Sequence, residues 1–211
     1  MQNTDIVILA AGKGTRMRSA MPKVLHKIAG IPMLSHVIAR ANSVANAKTI
    51  VVTGFGAQQI EDTLGADASC YVEQSQQLGT AHAVQAALPQ IRDNSRVLVL
   101  YGDVPLISSC TIQKMLETVS DQQVALLTIE LENPTGYGRI IRDSDRQIQA
   151  IIEQKDASSE QLSINEVNTG VIALTSQQLK DWLPQIDNNN AQGEYYLTDL
   201  IAIARGNGVN I

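Results

Sequence analysis

The chain has 211 residues, of which 44% are hydrophobic, 18% charged and 3% aromatic. That mix excludes a disordered acidic tail, a collagen-like fibre and a coiled-coil rod, and the length allows one large domain with its own core. The net charge of −5 divides into +6 over residues 1–48, where seven Lys and Arg stand against Asp5, and −11 over the rest. A local basic segment on an acidic chain excludes a nucleic-acid coat and fits a small anionic ligand.

In chain order, residues 5–11 form an apolar run closed by Gly12 and read as a strand buried on both faces. Residues 12–30 read as a long loop rich in Gly, Lys and Arg. Apolar residues at helical spacing (Leu34, Val37, Ile38, Ala41, Val44) predict a helix over 33–44. A strand over 49–53 closes on Gly54 and Gly56, and a helix follows over 57–64. A weaker strand covers 70–73, a helix over 80–88 stops at Pro89, and 96–101 is a second strong apolar strand before a helix over 110–119. The strand over 124–131 opens a different rhythm: 138–142, 147–153 and 167–174 are strand-like and separated by turns, as a meander grafted on the parallel sheet. A helix over 176–183, a polar loop over 187–194 and a helix over 197–205 complete the reading. Strand and helix alternate through residues 1–120, which argues βαβ units, right-handed crossovers and a mostly parallel sheet built from Ala, Ile, Leu and Val. No repeat or boundary divides residues 1–211, so a single domain is expected.

Cys70 and Cys110 are too few for a disulfide framework and read as two reduced, buried thiols in a cytosolic protein. The apolar run 6–11 is far shorter than the roughly 20 residues that span a bilayer, and no basic stretch precedes it. A cytoplasmic protein with no membrane and no nucleic-acid partner is expected.

Ligands of open α/β sheets bind beyond the carboxyl ends of strands. The first strong strand runs into residues 9–17 (LAAGKGTRM) and then Pro22 and Lys23; the other runs into Tyr101, Gly102 and Asp103. Gly12 and Gly14 allow a backbone nest for phosphate oxygens, with Lys13, Arg16 and Lys23 adding charge. The dinucleotide fingerprint fails, because Met17 stands where its third Gly belongs and no acid occurs between Asp5 and Glu61. The Gly-Lys-Ser/Thr ending of an NTPase loop is also absent. Asp103, two residues past a buried strand, is placed to hold Mg²⁺, which takes few protein ligands beside phosphates and water. Basic loop, carboxylate and divalent ion together describe phosphoryl or nucleotidyl transfer.

Residues 9–17 and 22–26 (PKVLH) closely resemble the signature of sugar-phosphate nucleotidyltransferases. Within them the chain resembles the bacterial bifunctional N-acetylglucosamine-1-phosphate uridyltransferase/glucosamine-1-phosphate acetyltransferase family. The likeness continues in order through Glu73 and Gln74, 77–82 (QLGTAH), 100–106 (LYGDVPL), 134–139 (PTGYGR), Ile152 and Glu153, 168–170 (NTG) and 188–196 (NNNAQGEYY). The resemblance implies a three-layer, Rossmann-like α/β fold with a mostly parallel sheet and a small antiparallel insertion. It implies Mg²⁺-dependent transfer of UMP from UTP to N-acetylglucosamine 1-phosphate, giving UDP-N-acetylglucosamine, a precursor for peptidoglycan and lipopolysaccharide, and pyrophosphate. The sugar phosphate attacks in line, so no nucleophilic triad is needed.

The resemblance also implies roles. Leu9, Ala10, Ala11 and Gly12 line the nucleotide; Arg16 and Lys23 act catalytically by neutralising the triphosphate and leaving pyrophosphate. Gln74 reads uracil, its amide offering donor and acceptor to the imide edge, with Gly79 and Thr80 beside it. Tyr101 and Gly102 flank Asp103, the metal ligand. Gly138, Glu153 and Asn168 bind the sugar. His82, mid-helix, reads as a core histidine, and Tyr195 and Tyr196 as packing or sugar-pocket residues. In the family a second metal ligand, an Asn, follows a further strand, and Asn207 and Asn210 come too early to be it. The acetyltransferase β-helix through which full-length members trimerise is absent from these 211 residues. A nucleotide-sugar binding module without turnover, or a relative using another sugar phosphate or pyrimidine nucleotide, are the alternatives.

Overall fold

The computed structural model describes residues 2–14, 17–65, 68 and 70–211, and every structural statement below concerns these. The elements are β1 (Thr4–Leu9), β2 (Lys27–Ile28), β3 (Ile31–Pro32), α1 (Met33–Asn42), β4 (Ala47–Thr53), α2 (Ala57–Leu64), β5 (Cys70–Glu73), α3 (Thr80–Ala87), β6 (Arg96–Tyr101), α4 (Ser109–Thr118), β7 (Ala125–Glu130), β8 (Arg139–Arg142), β9 (Ile148–Ile152), α5 (Ser159–Leu162), β10 (Glu166–Thr175), α6 (Ser176–Trp182) and α7 (Asp199–Gly206). The expected elements are all present with ends moved by a few residues. The β2–β3 hairpin and α5 are additions.

One eight-stranded sheet organises the chain in the order β5-β4-β1-β6-β10-β8-β9, with β7 also on β10. Strands β5, β4, β1 and β6 are parallel, and Leu9 at the end of β1 pairs with both Val52 and Tyr101. The ten-residue β10 lies antiparallel against β6, from Ile172 opposite Val99 to Thr175 opposite Arg96. The expected meander is therefore joined to the central sheet through β10. Its partner β7 shifts register between Asn168 and Ile172.

Side chains alternate across a strand, so continuous apolar runs feed two cores. Val7, Leu9, Val97 and Val99 face one core with buried residues of α3, α6 and α7. Ile6, Ile8, Leu98 and Leu100 face the other, under α1, α2 and α4. The result is three layers, helices on both faces of the sheet. Both cysteines are free, but only partly as expected: Cys70 is half-buried and Cys110 is exposed. Helix α4 buries Ile112, Met115 and Leu116; Cys110 lies two positions before Ile112, about 200° round the helix and on the opposite side. No helix among the described residues is long and apolar enough to cross a membrane.

Candidate active site

The carboxyl ends of the four parallel strands are laced together past the strands themselves. Gly102 N–H donates to Leu9 O (2.9 Å), Ala10 N–H to Val52 O (2.8 Å), Phe55 N–H to Ala11 O (3.1 Å) and Gln74 N–H to Thr53 O (2.7 Å). Above this edge lies a cavity of about 350 Å³. Leu9, Ala10, Ala11, Gly12, Lys23, Gln74, Gly79, Thr80, Tyr101 and Asp103, all expected, line it. Gly102 sits under it, bonded to Leu9.

At one end of the cavity the loop after β1 folds back on itself. Gly14 adopts φ +59°, and a Cβ there would stand 2.6 Å from Lys23 Cβ. This close approach fixes the stem of Lys23, whose ammonium donates to Asp103 Oδ2. The ion pair links the two loops across 80 positions of sequence, and both side chains remain about one-third exposed (35% and 28%). Arg16 lies outside the described residues.

At the other end Gln74 is 3% exposed. Its Nε2 donates to Gly79 O (3.1 Å) and meets His82 Nδ1 at 3.0 Å. The amide nitrogen thus contacts two groups of the protein itself, and among the described residues no donor to Oε1 is seen. His82 is half-buried and bonded to a cavity residue, not a core histidine. Gly79 has φ +117° and ψ 176°. A Cβ on it would fall 2.4 Å from Tyr195 O. The segment carrying Tyr195 is stitched down by Tyr195 N–H to Leu78 O (2.8 Å), Ala81 N–H to Tyr195 O (2.9 Å) and Leu197 N–H to Thr80 Oγ1 (3.0 Å). This holds Glu194 in the cavity wall. Tyr196 is buried, its hydroxyl accepting from Gln192.

Tyr101 is the wall between this cavity and a second niche. Its ring lies over Gly170, where a Cβ would be 2.4 Å from the ring and φ is +84°. Burial, reinforced by the charges of Glu153 and Asp103, pushes the phenol far above its ordinary range, and Thr80 hydrogen-bonds to it. The niche, lined by Asn168, Gly170, Ile151 and Thr198 as well as Tyr101, has a volume of only about 10 Å³. Asn168 Oδ1 accepts from Gly170 N–H (2.9 Å), and the Asn168 backbone N–H donates to Gly138 O (2.9 Å). A Cβ on Gly138 would lie 3.3 Å from Glu153 Oε1. Glu153 in turn accepts from Thr198 Oγ1 (3.3 Å), and burial raises its carboxyl above the usual range. The three expected sugar residues are thus neighbours, but only Asn168 lines this niche, and Glu153 lines a separate hollow with Asp156, Asn190 and Asp199.

Residues 6–162 match the family model of the MobA-like NTP transferase domain. The chain belongs to that family. It is a nucleotidyltransferase. Relatives include "Bifunctional protein GlmU" of Cellvibrio japonicus, 55% identical over 98% of this chain and 46% of that protein. The protein of the same name from Pseudomonas putida is 56% identical over 97% of this chain and 45% of its own length. The chain therefore spans about half the length of the curated relatives it matches. Among solved structures, UDP-glucose pyrophosphorylase complexed with UDP-glucose superposes with a TM-score of 0.76 at 19% identity, covering 99% of this chain and 89% of that one. HddC from Yersinia pseudotuberculosis gives 0.67 at 22% identity, covering 94% and 84%. At these identities the likeness is one of fold.

Gly14, expected in the phosphate nest of this nucleotidyltransferase, also lines the cavity, and so do Val24, Gln77, Ala83 and Glu194, to which the sequence assigned no role. Glu194 stands inside the quoted run 188–196, yet nothing in that run distinguishes it from a loop carboxylate. Gln77 Nε2 donates to Gln74 O (3.1 Å) and braces the loop. Thr198 falls in the helix expected over 197–205, and no local pattern announces its bond to Glu153.

Proposed function

We propose that this chain transfers UMP from UTP to N-acetylglucosamine 1-phosphate, releasing pyrophosphate and forming UDP-N-acetylglucosamine. The observation that carries the reading is the placement of Tyr101: one wall of a nucleotide-sized cavity on one side, and of the niche lined by Asn168, whose neighbour Gly138 touches Glu153, on the other. Two ligands bound on either side of that ring are brought together for direct, in-line attack, which needs positioning and charge neutralisation more than a protein nucleophile.

The nucleotide lies along the edge formed by Leu9, Ala10, Ala11 and Gly12, with its base toward Gln74 and its phosphates toward Lys23. Lys23 exchanges its bond to Asp103 for phosphate oxygens, and Arg16 adds a second positive charge as pyrophosphate leaves. The protonated Tyr101 hydroxyl and Thr80 line the boundary between donor and acceptor. Glu153 and Asn168 take the sugar hydroxyls, and Gly138 N–H the acetamido carbonyl.

Among the described residues no three His, Cys, Asp or Glu converge to cage an ion. A single half-exposed carboxylate beside a phosphate loop does fit Mg²⁺, which completes its shell with substrate oxygens and water. Asp103 would hold it, and bound there it would offset the charge of the triphosphate.

The test is pyrophosphate release by the 211-residue chain given UTP, N-acetylglucosamine 1-phosphate and Mg²⁺. The expected result is release only when all three are present. Tight UTP binding with no release refutes transfer and leaves a binding module; faster release with CTP, dTTP or another sugar phosphate refutes the substrate pair.

A further inference from the structure

We infer that His82 is a positioning residue for nucleobase selection: it holds the Gln74 amide so that the cavity presents an acceptor, Oε1, to the base. The inference rests on the uridylyl-transfer reading of the cavity and adds to it the device that separates uracil from cytosine.

The argument begins with an atom that has no choice. The Gly79 carbonyl only accepts hydrogen bonds, so the Gln74 terminal atom 3.1 Å from it is the NH₂ group and not the oxygen. That group has two hydrogens. The second is directed to His82 Nδ1 at 3.0 Å. Nδ1 must therefore be the acceptor nitrogen, and the ring carries its proton on Nε2. The His82 side chain also lines a groove of about 250 Å³ with Leu78, Gln85, Leu183, Pro184, Ile186 and Tyr195, a lining that holds no carboxylate.

With both N–H groups engaged, Oε1 is the hydrogen-bonding atom of the Gln74 side chain left for a ligand. An acceptor meets the N3–H of uracil favourably. Cytosine carries a lone pair on N3, and would set acceptor against acceptor. One bond to Gly79 would not fix this alone, because the terminal torsion of Gln is broad and roughly two-fold. His82, eight positions on and carried by α3, supplies the second anchor. Without it one N–H of Gln74 is released, and it can turn toward a cytosine N3.

The test measures dissociation constants of UTP and CTP, each with Mg²⁺, for the 211-residue chain, His82→Leu and His82→Asn. Leu removes the acceptor. Asn returns an amide oxygen near the position of Nδ1. The expected result is a preference for UTP that falls at least tenfold in His82→Leu and is largely recovered in His82→Asn. Ring ¹⁵N shifts of His82 in the free protein should report a proton on Nε2 and a bare Nδ1. An unchanged UTP/CTP ratio in folded His82→Leu, or a proton on Nδ1, overturns the inference. If His82→Leu does not fold, recovery in His82→Asn and the ring shifts decide. No UTP preference in the unaltered chain would instead refute the uridylyl reading itself, whatever the ring shifts report.

Discussion

Replacing Gly79 by Ala tests whether the cavity is closed by backbone contact. Gly79 sits at φ +117°, ψ 176°, a region that side chains make accessible only with about 1–3 kcal/mol of strain. The added Cβ would meet Tyr195 O at 2.4 Å and Tyr195 N at 2.7 Å. These are main-chain atoms and cannot swing aside. Relief requires the segment to lift, which breaks the Tyr195–Leu78 and Ala81–Tyr195 bonds of 2.8 and 2.9 Å, each worth about 1 kcal/mol net. The sum is roughly 3–5 kcal/mol. For a domain of this size each kcal/mol lowers Tm by about 2–4 °C, so the expected drop is on the order of 10 °C. Gly208→Ala is the control: φ is +74°, but nothing lies within 4 Å, and only about 1 kcal/mol of left-handed strain is expected. Differential scanning calorimetry of both variants decides. A Gly79→Ala loss no larger than that of Gly208→Ala would refute the close approach. UTP affinity should also fall in Gly79→Ala alone, because the lifted segment carries Glu194 out of the cavity wall.

Asp103→Ala should reduce Mg²⁺-dependent pyrophosphate release by roughly 10²–10³-fold, while shifting stability by under about 1 kcal/mol, since the Lys23 pair is partly exposed; full activity would remove Asp103 as the cation ligand. Arg16→Ala should lower turnover more than it weakens sugar-phosphate binding, and unchanged kcat would exclude it from charge neutralisation. Asp199 has a carboxyl pushed up to about 6, first by burial and then by Asp187 and Asp156. A raised folded value means that its contribution to stability is fully present below the ordinary Asp range near 4 and is lost as pH rises through about 6. Asp199→Asn should therefore stabilise the chain at pH 8 by about 1 kcal/mol after allowing for solvent screening, and hardly at all at pH 4. Equal unfolding free energies for variant and parent at pH 8 would refute this.

What the sequence made legible was what short-range patterns encode. Continuous apolar runs marked β1 and β6 because both faces of those strands are buried. The acid in β1 is an instance of the limit. Asp5 is fully buried, and it is held by the Arg92 backbone N–H (2.9 Å) and Nε (2.8 Å), 87 positions away. No local pattern names that partner. The strand over β10 was visible, but its pairing with β6, some 75 positions earlier, was not. The β2–β3 hairpin went unread because its strands have two residues each and leave Ile28 and Ile31 exposed, so no period develops.

The site divides along the same line. In the parallel order β5-β4-β1-β6, the loops after Leu9, Thr53, Glu73 and Tyr101 must emerge along one edge whatever their length. Motif residues in those loops therefore converge, and a reader of the sequence can place them. The direction of each side chain is a different matter. Gln74 is named by its motif, yet whether it offers a donor or an acceptor depends on the carbonyl of Gly79. That carbonyl is aimed by a backbone conformation reserved for glycine and held by contact with Tyr195, 116 positions on. On the reading proposed above, base selectivity at this site would be set by that long-range backbone contact together with His82, both acting through one amide.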